Sequence, residues 1–351
     1  MSDVVLPFEH RQSAHCESGV AANLLSQAGV ALTEPLAFGI GAGLSFFHMP
    51  LIKVGGYPLT AFRCLPGQVF RRAAKSLGVR LHTRRYRDPV RAMEELDAHL
   101  AAGRPVGLQV GVYWLPFFPP DLRFHFNAHN LVVYGRRGDD YLISDPTIDT
   151  PVVCPAAALR KARFAKGMLA PRGRLYYPER LPGSVDLPRA IRAGILTTCG
   201  RMLDVPIPFQ GVRGIRFLAG RVRKWPARLE ERQARLQLAQ LIRMQEEIGT
   251  GGAGFRFLFG AFLQESAPLL GRPELGELSI EITDIGDHWR EFALRAARIC
   301  KQRPAEGDDY DSIAGILLEC AAREERFFRK LKGLCAGWRP RRQTPSKCAT
   351  S

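Results

Sequence analysis

In the first hundred residues, apolar side chains recur with the period of an amphipathic helix. These runs predict helices over residues 18–28, 66–77 and 89–102. A glycine directly follows the first two runs and closes the third, and glycine just past the last turn is a common helix stop. This part of the chain is therefore expected to carry several short helices.

Further along, the apolar pattern shortens to that of β-strands. It predicts a buried strand over residues 105–112 and a hairpin from 130–134 to 141–144. Between them, residues 114–126 are rich in aromatic residues and proline, a composition typical of a loop. Such a loop either walls a substrate site or plugs the core, and the pattern leaves both readings open.

After about residue 178 the pattern becomes almost entirely helical. Three prolines within residues 178–188 mark a link. The segments that follow predict helices over residues 188–204, 212–223, 226–248, 254–270, 275–303 and 308–335. We expect an α+β domain over 1–178, an α-helical domain over 179–336 and a disordered basic tail over 337–351.

Composition describes a globular protein with a sizeable core. Of its 351 residues, 46% are hydrophobic and 24% are charged. The longest apolar stretch, 36–52, is interrupted by glycine, histidine and proline, so we expect no membrane span. The N-terminus lacks a basic region followed by an apolar core, which predicts no signal peptide and a cytoplasmic location. The eight scattered cysteines form no CxxC pair, so we expect reduced thiols and no metal site.

The chain is strongly basic, with a formal net charge of +16. Neutralisation of phosphates makes such a charge useful for nucleic-acid binding. The basic residues are nevertheless spread along the chain, and no zinc-finger, helix-turn-helix or RNP-type pattern accompanies them. We therefore expect solvated basic faces or an acidic protein partner, and no nucleic acid.

Three residues suggest a reaction. Cys16 lies at the start of the first predicted helix, His129 opens the β-rich run, and Asp145 closes the strand that follows. A helix N-terminus and a neighbouring imidazolium both stabilise a thiolate, and a carboxylate holds the imidazole in one tautomer. This layout is that of a papain-like cysteine enzyme, and it predicts acyl transfer through a thioester.

The segments around these residues resemble the butirosin biosynthesis protein H family. The resemblance to its N-terminal domain rests on HCESG at 15–19, EPLAFGIGAG at 34–43 and AHNLVVYG at 128–135. The resemblance to its accompanying helical domain rests on EIGTGGAGFR at 247–256 and FLQE at 262–265. The resemblance therefore covers most of residues 8–335, with these motifs in the right order.

The resemblance implies a papain-like domain akin to bacteriocin-processing cysteine peptidases. It also implies roles, with Cys16 as nucleophile, His129 as general acid and base, and Asp145 as the orienting residue. Papain-like enzymes carry an oxyanion-hole glutamine six positions before the cysteine, where this chain has His10, with Gln12 nearby. Either side chain is a candidate to donate alongside the Cys16 backbone N–H.

Other residues are candidates for contact with the substrate. The glycine-rich segment 249–254 lacks the Gly-Lys-Ser/Thr ending of a nucleotide-binding loop. It is either an anion site for a pantetheine phosphate or a tight turn packed against the first domain. Glu34 is either a buried partner or a contact for a substrate amine. The full set of candidates is Glu34, Trp114, Asn130, Thr250, Gly251, Gly252 and Arg256.

The resemblance implies an acyltransferase of specialised metabolism. Its donor would be the phosphopantetheine thioester of an acidic acyl carrier protein, its acceptor a small-molecule amine or another nucleophile, and it would need no cofactor of its own. The alternatives are a cysteine peptidase or thioesterase with the same three residues, and a non-catalytic papain-like scaffold. The acyl group, the acceptor and the oligomeric state are left open.

Overall fold

A computed structural model describes residues 3–337 of the protein. The strands are β1 (Val4–Val5), β2 (Leu44–Val54), β3 (Tyr57–Arg63), β4 (Arg80–Arg84), β5 (Val106–Val110), β6 (His129–Arg137), β7 (Asp140–Ser144), β8 (Val152–Pro155) and β9 (Leu175–Arg180). The helices are α1 (Cys16–Gln27), α2 (Glu34–Ile40), α3 (Gln68–Ser76), α4 (Pro89–Ala101), α5 (Ala156–Arg163), α6 (Leu187–Leu203), α7 (Gly211–Arg228), α8 (Glu231–Glu246), α9 (Arg256–Leu270), α10 (Glu274–Cys300) and α11 (Tyr310–Ala336). Of the predicted tail 337–351, residues 338–351 lie outside the described part.

A seven-stranded antiparallel sheet organises the first half of the chain. Its strand order is β4-β9-β5-β6-β7-β8, and the short β1 pairs with β6. The inner strands are buried over consecutive residues, all five of β5 and the first five of β6, as expected for a sheet covered on both faces. One face, with Leu108 and Leu131, packs against α4 and α5, while the other, with Val132 and Tyr176, lies under α1.

The hairpin of β2 and β3 was not predicted. It forms a separate two-stranded sheet and packs against α7 and α8 of the helical half. Phe46 and Phe62, one from each strand, are fully buried against Trp289 of α10. Polar His48 is buried along this hairpin, while apolar Leu51 is exposed. This mixture obscures the polar–apolar alternation by which a half-exposed strand is recognised in a sequence.

The second half of the described chain is helical, which together with the sheet confirms the α+β class. Helices α6 to α11 share one hydrophobic core with α1, α2 and the β2–β3 hairpin. The predicted boundary at residues 178 and 179 falls inside β9. The two halves therefore meet through a continuous apolar core.

Two absences concern the described residues 3–337. No helix among them is both long enough and apolar enough to cross a membrane. No group of three or more His, Cys, Asp or Glu side chains in that range is placed to hold a metal ion.

Candidate active site

Cys16 is the first residue of α1, and 7% of its surface is exposed. His15 precedes the helix in an extended conformation, and its carbonyl accepts the first helical hydrogen bond from Gly19 N–H at 2.9 Å. No acceptor for the Cys16 N–H is present among residues 3–337. The sulfur thus lies at the positive end of a helix dipole, beside a free backbone donor.

Close packing of α1 on the turn after β7 brings Cys16 toward the sheet. A Cβ at Gly19 would lie 2.6 Å from Cβ of Pro146, which directly follows Asp145. Ser13 reinforces the contact, since its N–H donates to the Pro146 carbonyl at 2.7 Å. Glycine at position 19 is therefore what allows the first turn of α1 to approach Asp145.

The imidazole of His129 is fixed by Asp145. Its Nε2 lies 2.6 Å from Asp145 Oδ2, and the two side chains are almost completely buried. The other carboxylate oxygen, Oδ1, accepts hydrogen bonds from the Thr147 N–H at 3.0 Å and hydroxyl at 2.8 Å. This leaves Nδ1 of His129 for the hydrogen bond that its side chain shares with Cys16.

The electrostatics favour a charged His129. Burial by itself lowers the pKa of this imidazole, but the charge and hydrogen bond of Asp145, with a smaller contribution from Cys16, outweigh burial and raise the pKa of His129 to about 10. His129 is consequently an imidazolium at neutral pH. A cation in hydrogen-bond contact with a thiol stabilises the thiolate form.

Glu34 organises the backbone that leads into Cys16. Its carboxylate accepts from Ala14 N–H and His15 N–H, both at 2.8 Å, and from the Ser18 hydroxyl at 3.0 Å. Burial raises the pKa of Glu34, and these hydrogen bonds partly offset that effect. Glu34 is half-buried, and its three hydrogen bonds support the role of a partner within the protein, while contact with a substrate amine stays a prediction.

His15, directly before the cysteine, is a second buried imidazole. Burial and the positive charges of Arg63 and His129 lower the pKa of His15 well below its usual value. Arg63 can only donate, so Nε2 of His15 accepts from it. On the other side of the ring, Nδ1 caps the start of α1: it lies 3.3 Å from the Ser18 backbone nitrogen and 2.8 Å from the Ser18 hydroxyl, which donates to Glu34 at 3.0 Å.

The residue after the cysteine, Glu17, ties α1 to α3. Its carboxylate pairs with Arg63 and accepts from the backbone N–H groups of Gly67 at 2.9 Å and Val69 at 2.8 Å, at the start of α3. A carboxylate at a helix N-terminus satisfies otherwise unpaired donors there. The HCESG segment therefore places charged and polar residues in structural contacts on both sides of Cys16.

Part of the aromatic loop plugs the core, and its role as a wall of a substrate site stays a prediction. Leu115 is buried in the core beneath the sheet, and Phe118 packs edge-on against the His129 ring at 5.6 Å between centroids. Tyr113 and Trp114, in contrast, are exposed, and Lys161 Nζ of α5 lies 5.4 Å from the Trp114 ring. One half of the loop plugs the core, while the other faces solvent.

The glycine-rich segment of the helical half packs against the residues before Cys16. A Cβ at Gly251 would lie 3.2 Å from Ala14 Cβ. Thr250 is buried, donating to the Gln245 carbonyl at 2.7 Å and accepting from Gly252 N–H at 3.1 Å. Of the two readings of this segment, the structure supports a tight turn packed on the first domain.

Arg256 has no exposed surface. Its guanidinium forms a two-point ion pair with Glu324 and donates to the Gly254 carbonyl at 2.8 Å, while Trp289 Nε1 donates to the same carboxylate at 2.6 Å. These contacts hold the glycine-rich turn in place. The suggested substrate contact by Arg256 gives way to this structural role, because no donor of the side chain faces solvent.

The two oxyanion-hole candidates lie in different settings. His10 uses both ring nitrogens within the domain, Nδ1 with the Ser144 hydroxyl at 2.8 Å and Nε2 with the Ile148 carbonyl at 3.1 Å. Gln12 is exposed. The assignment of either residue stays a prediction, while the free N–H of Cys16 is in place as one donor.

Two further residues border the site. Asn130 lies beside the cysteine, with Nδ2 3.9 Å from Cys16 Sγ, and its Oδ1 accepts from the Tyr176 hydroxyl at 2.7 Å. Asn130 follows His129 in the AHNLVVYG segment and was among the substrate-contact candidates. Tyr176 was missed, because a tyrosine in a strand carries no sign of its partner across the sheet.

The site combines a thiol at a helix N-terminus with a histidine and a carboxylate from an antiparallel sheet. This combination defines the class of papain-like cysteine enzymes. Within that class, residues 15–146 match the family model described as "Butirosin biosynthesis protein H, N-terminal". Residues 157–331 match a second model, described as a domain of unknown function, DUF4872. The first part of the chain thus matches a butirosin biosynthesis protein H-like family.

The chain was also compared with solved structures and with curated proteins. A structure described as a C39-like peptidase from Bacillus anthracis has 18% sequence identity to this chain and a TM-score of 0.35, covering 52% of this chain and 100% of its own. No curated protein matches the chain.

Proposed function

We propose that the protein is a cysteine-dependent acyltransferase of specialised metabolism, taking an acyl or aminoacyl group from a carrier-protein thioester to an amine. The observation that carries this proposal is the buried cluster of Cys16, a charged His129 and Asp145 at the N-terminus of α1. The match of residues 15–146 to the butirosin biosynthesis protein H model supports the choice of donor and of metabolic role.

The proposed reaction has two half-reactions. The Cys16 thiolate attacks the thioester carbonyl, a bond forms from Cys16 Sγ to that carbon, and the bond to the pantetheine sulfur breaks. His129 gives its proton to the departing pantetheine thiolate. The amine then attacks the Cys16 thioester, neutral His129 takes the amine proton, and Cys16 leaves as a thiolate. The free Cys16 N–H would donate to the oxyanion of each tetrahedral intermediate.

The enclosed setting of the cysteine supports transfer over hydrolysis. Cys16, His129 and Asp145 are 7%, 5% and 0% exposed, and the Phe118 ring lies against the imidazole. A thioester formed in such a place is shielded from bulk water, which favours reaction with a bound nucleophile.

A basic surface that is joined to the start of the His129 strand supports an acidic donor. We define the α5 surface as the exposed residues Arg160, Lys161, Lys166, Met168, Leu169 and Arg172. Residues 151–178 contain no Asp or Glu. Asn127, two residues before His129, holds this surface through Nδ2, which donates to the carbonyls of Lys166 and Met168, both at 3.0 Å. Positive charge at this position suits steering of an acidic carrier protein toward Cys16.

The proposal is tested with a carrier protein loaded with a radiolabelled aminoacyl thioester. We expect the enzyme to release the carrier thiol and to move the label to an added aminoglycoside or diamine faster than to water. Cys16→Ala should abolish release, while Cys199→Ala, which removes a buried thiol in α6, should leave it unchanged.

The same assay contains the result that would replace the proposal. If the label appears only as the free acid, whatever amine is added, the protein is a thioesterase or peptidase. Release that persists at the wild-type rate in Cys16→Ala would exclude both reactions at this cysteine.

A further inference from the structure

Asn130 is held in one orientation beside Cys16. The side chain is 3% exposed and has three neighbours: the Ala128 carbonyl 2.9 Å from Nδ2, the Tyr176 hydroxyl 2.7 Å from Oδ1, and Cys16 Sγ 3.9 Å from Nδ2. A carbonyl can only accept, so the atom beside Ala128 is the amide nitrogen. The phenol completes the arrangement by donating to Oδ1, which leaves the second N–H directed at sulfur.

Tyr176 reaches Asn130 across an intervening strand. It lies on β9 and Asn130 on β6, with β5 between them. Two strand spacings amount to roughly 9–10 Å. Gly107 of β5 pairs with Tyr176 on one side and Val132 on the other, and a Cβ at this glycine would lie 2.2 Å from the Tyr176 ring. The ring can lie over β5 only because position 107 has no side chain.

The chemistry of this arrangement suits a thiolate. Burial raises the pKa of the Tyr176 hydroxyl, so it stays protonated and available to donate to Asn130. The Phe70 ring, 5.5 Å away edge-on, helps to fix the phenol. A hydrogen bond from a neutral amide to a charged sulfur is stronger than one to a neutral thiol, so a fixed N–H donor favours the thiolate.

We propose that Asn130 is a further catalytic residue that donates a hydrogen bond to the Cys16 thiolate, and that Tyr176 is a positioning residue that holds the Asn130 amide, across the gap left by Gly107. The inference rests on the proposed role of Cys16 as nucleophile. It goes beyond that role by naming a fourth side chain in contact with the reacting sulfur.

The test measures the alkylation of Cys16 by iodoacetamide, a reaction of the thiolate that needs no acyl donor. Rates are obtained by mass spectrometry of the Cys16 peptide, with the partly exposed Cys300 as an internal reference. We expect Asn130→Ala to slow Cys16 alkylation at pH 7 by about tenfold or more, and to move its pH profile upward, because a hydrogen bond to a charged group is lost. Tyr176→Phe should slow it less, since the amide remains but is no longer fixed.

Two comparisons separate donation from a merely structural role. Asn130→Asp keeps the side-chain volume and the acceptor for Tyr176 but loses the N–H donor. Alkylation of Cys16 should therefore be as slow in this variant as in Asn130→Ala. Because Tyr176 acts through Asn130, the double variant Asn130→Ala/Tyr176→Phe should be no slower than Asn130→Ala. Gly107→Ala, which displaces the phenol, should behave like Tyr176→Phe.

Other outcomes overturn the proposal. Alkylation of Cys16 at the wild-type rate in Asn130→Ala and Asn130→Asp would rule out the donor role. Additive losses of the alkylation rate in the double variant would rule out the positioning role of Tyr176. An equal change in the alkylation rate of Cys300 would show a general effect of the substitution and would count against a role specific to Cys16. Acyl transfer is not used in this assay, so its result is independent of whether a carrier protein is the donor.

Discussion

At the scale of single residues, the site depends on how His129 is held. Asp145 accepts from Nε2 at 2.6 Å, and Thr147 binds the second carboxylate oxygen. The carboxylate is therefore oriented before any substrate arrives, and it leaves Nδ1 of His129 to face Cys16. Orientation and charge of the imidazole both originate from this one carboxylate.

Asp145→Asn tests the orientation of His129. The amide Oδ1 can still accept a hydrogen bond from Thr147, but the NH2 group cannot accept one from His129 Nε2–H, so the imidazole is left in the wrong tautomer. We expect acylation of Cys16 to slow by roughly 10²- to 10⁴-fold with little change in the thermal unfolding midpoint. Thr147→Val is the matched control and should have a much smaller effect. Similar losses in both variants would contradict the assignment.

The charge on His129 predicts a pH dependence of stability. Its pKa is raised in the folded state to about 10, above an ordinary value of 6.5. The resulting stabilisation is fully present below the unfolded pKa and is lost as the pH rises through the folded pKa. We expect the free energy of unfolding of wild type, relative to His129→Gln, to fall between about pH 6.5 and pH 10, as measured by urea unfolding. A constant difference over that range would show that His129 is not charged.

At the scale of elements, the N-terminus of α1 is fixed from three directions. Gly19 lets it lie against Pro146, Glu34 of α2 holds Ala14 and His15, and the glycine-rich turn of the helical half contacts Ala14. Contacts of the helical half reach the residue directly before Cys16, since the Phe255 ring packs edge-on against His15 at 5.2 Å between centroids. We therefore expect the helical half to help position Cys16.

A pair of glycine variants tests the contribution of that turn. Gly251 and Gly271 both have positive φ, 67° and 60°, so a leucine strains the backbone at either position. Only at Gly251 would the new side chain meet Ala14; at Gly271 nothing lies within 4 Å of a Cβ. We expect Gly251→Leu to slow Cys16 acylation by about tenfold, and Gly271→Leu to leave it near wild type. Equal rates of Cys16 acylation in the two variants would show that the helical half does not help to position Cys16.

At the scale of the whole molecule, charge is unevenly placed around a shared core. The net charge is +16, and the α5 surface lies in a segment without acidic residues, tied by Asn127 to the strand that begins with His129. Such a distribution raises the rate of encounter with an acidic partner and makes that rate sensitive to salt.

Charge reversal tests where an acidic donor binds. We expect Lys161→Glu/Lys166→Glu to lower kcat/KM for the loaded carrier protein by about tenfold at low ionic strength, with a smaller loss at high salt. Lys301→Glu/Arg303→Glu makes the same change in net charge on exposed residues after α10 and serves as the control. A small-molecule thioester donor should react equally with both variants. Equal losses of kcat/KM for the carrier protein in both double variants would show that only the net charge matters.

Much of this architecture could be predicted from local pattern. The helical spacing of apolar residues located α1, α3, α4 and α6 to α11 to within a few residues, although the break between α7 and α8 lies at residues 229–230 instead of 224–225. The trio was predicted from order and context, and the fold brings its three members together. These features depend on short stretches of sequence, which a single chain displays.

What could not be predicted depends on contacts between distant segments. The β2–β3 hairpin packs against α7 and α8, and its buried polar and exposed apolar residues hide the alternation of a strand. The Tyr176–Asn130 contact requires a glycine in a third strand. The burial of Arg256 depends on Glu324, which lies in the last helix. In each case the deciding partner lies far along the chain.

The most direct test of the central claim is the detection of an acyl group on Cys16. Wild-type protein is mixed with a loaded acyl carrier protein, quenched in acid within one turnover, digested and analysed by mass spectrometry. We predict one acyl group per chain, on the peptide containing Cys16, that disappears when an amine acceptor is added before the quench. Cys64→Ala should retain the adduct, and Cys16→Ala should lose it. Acylation of another cysteine, or turnover of the donor with no acyl group on Cys16, would contradict the account.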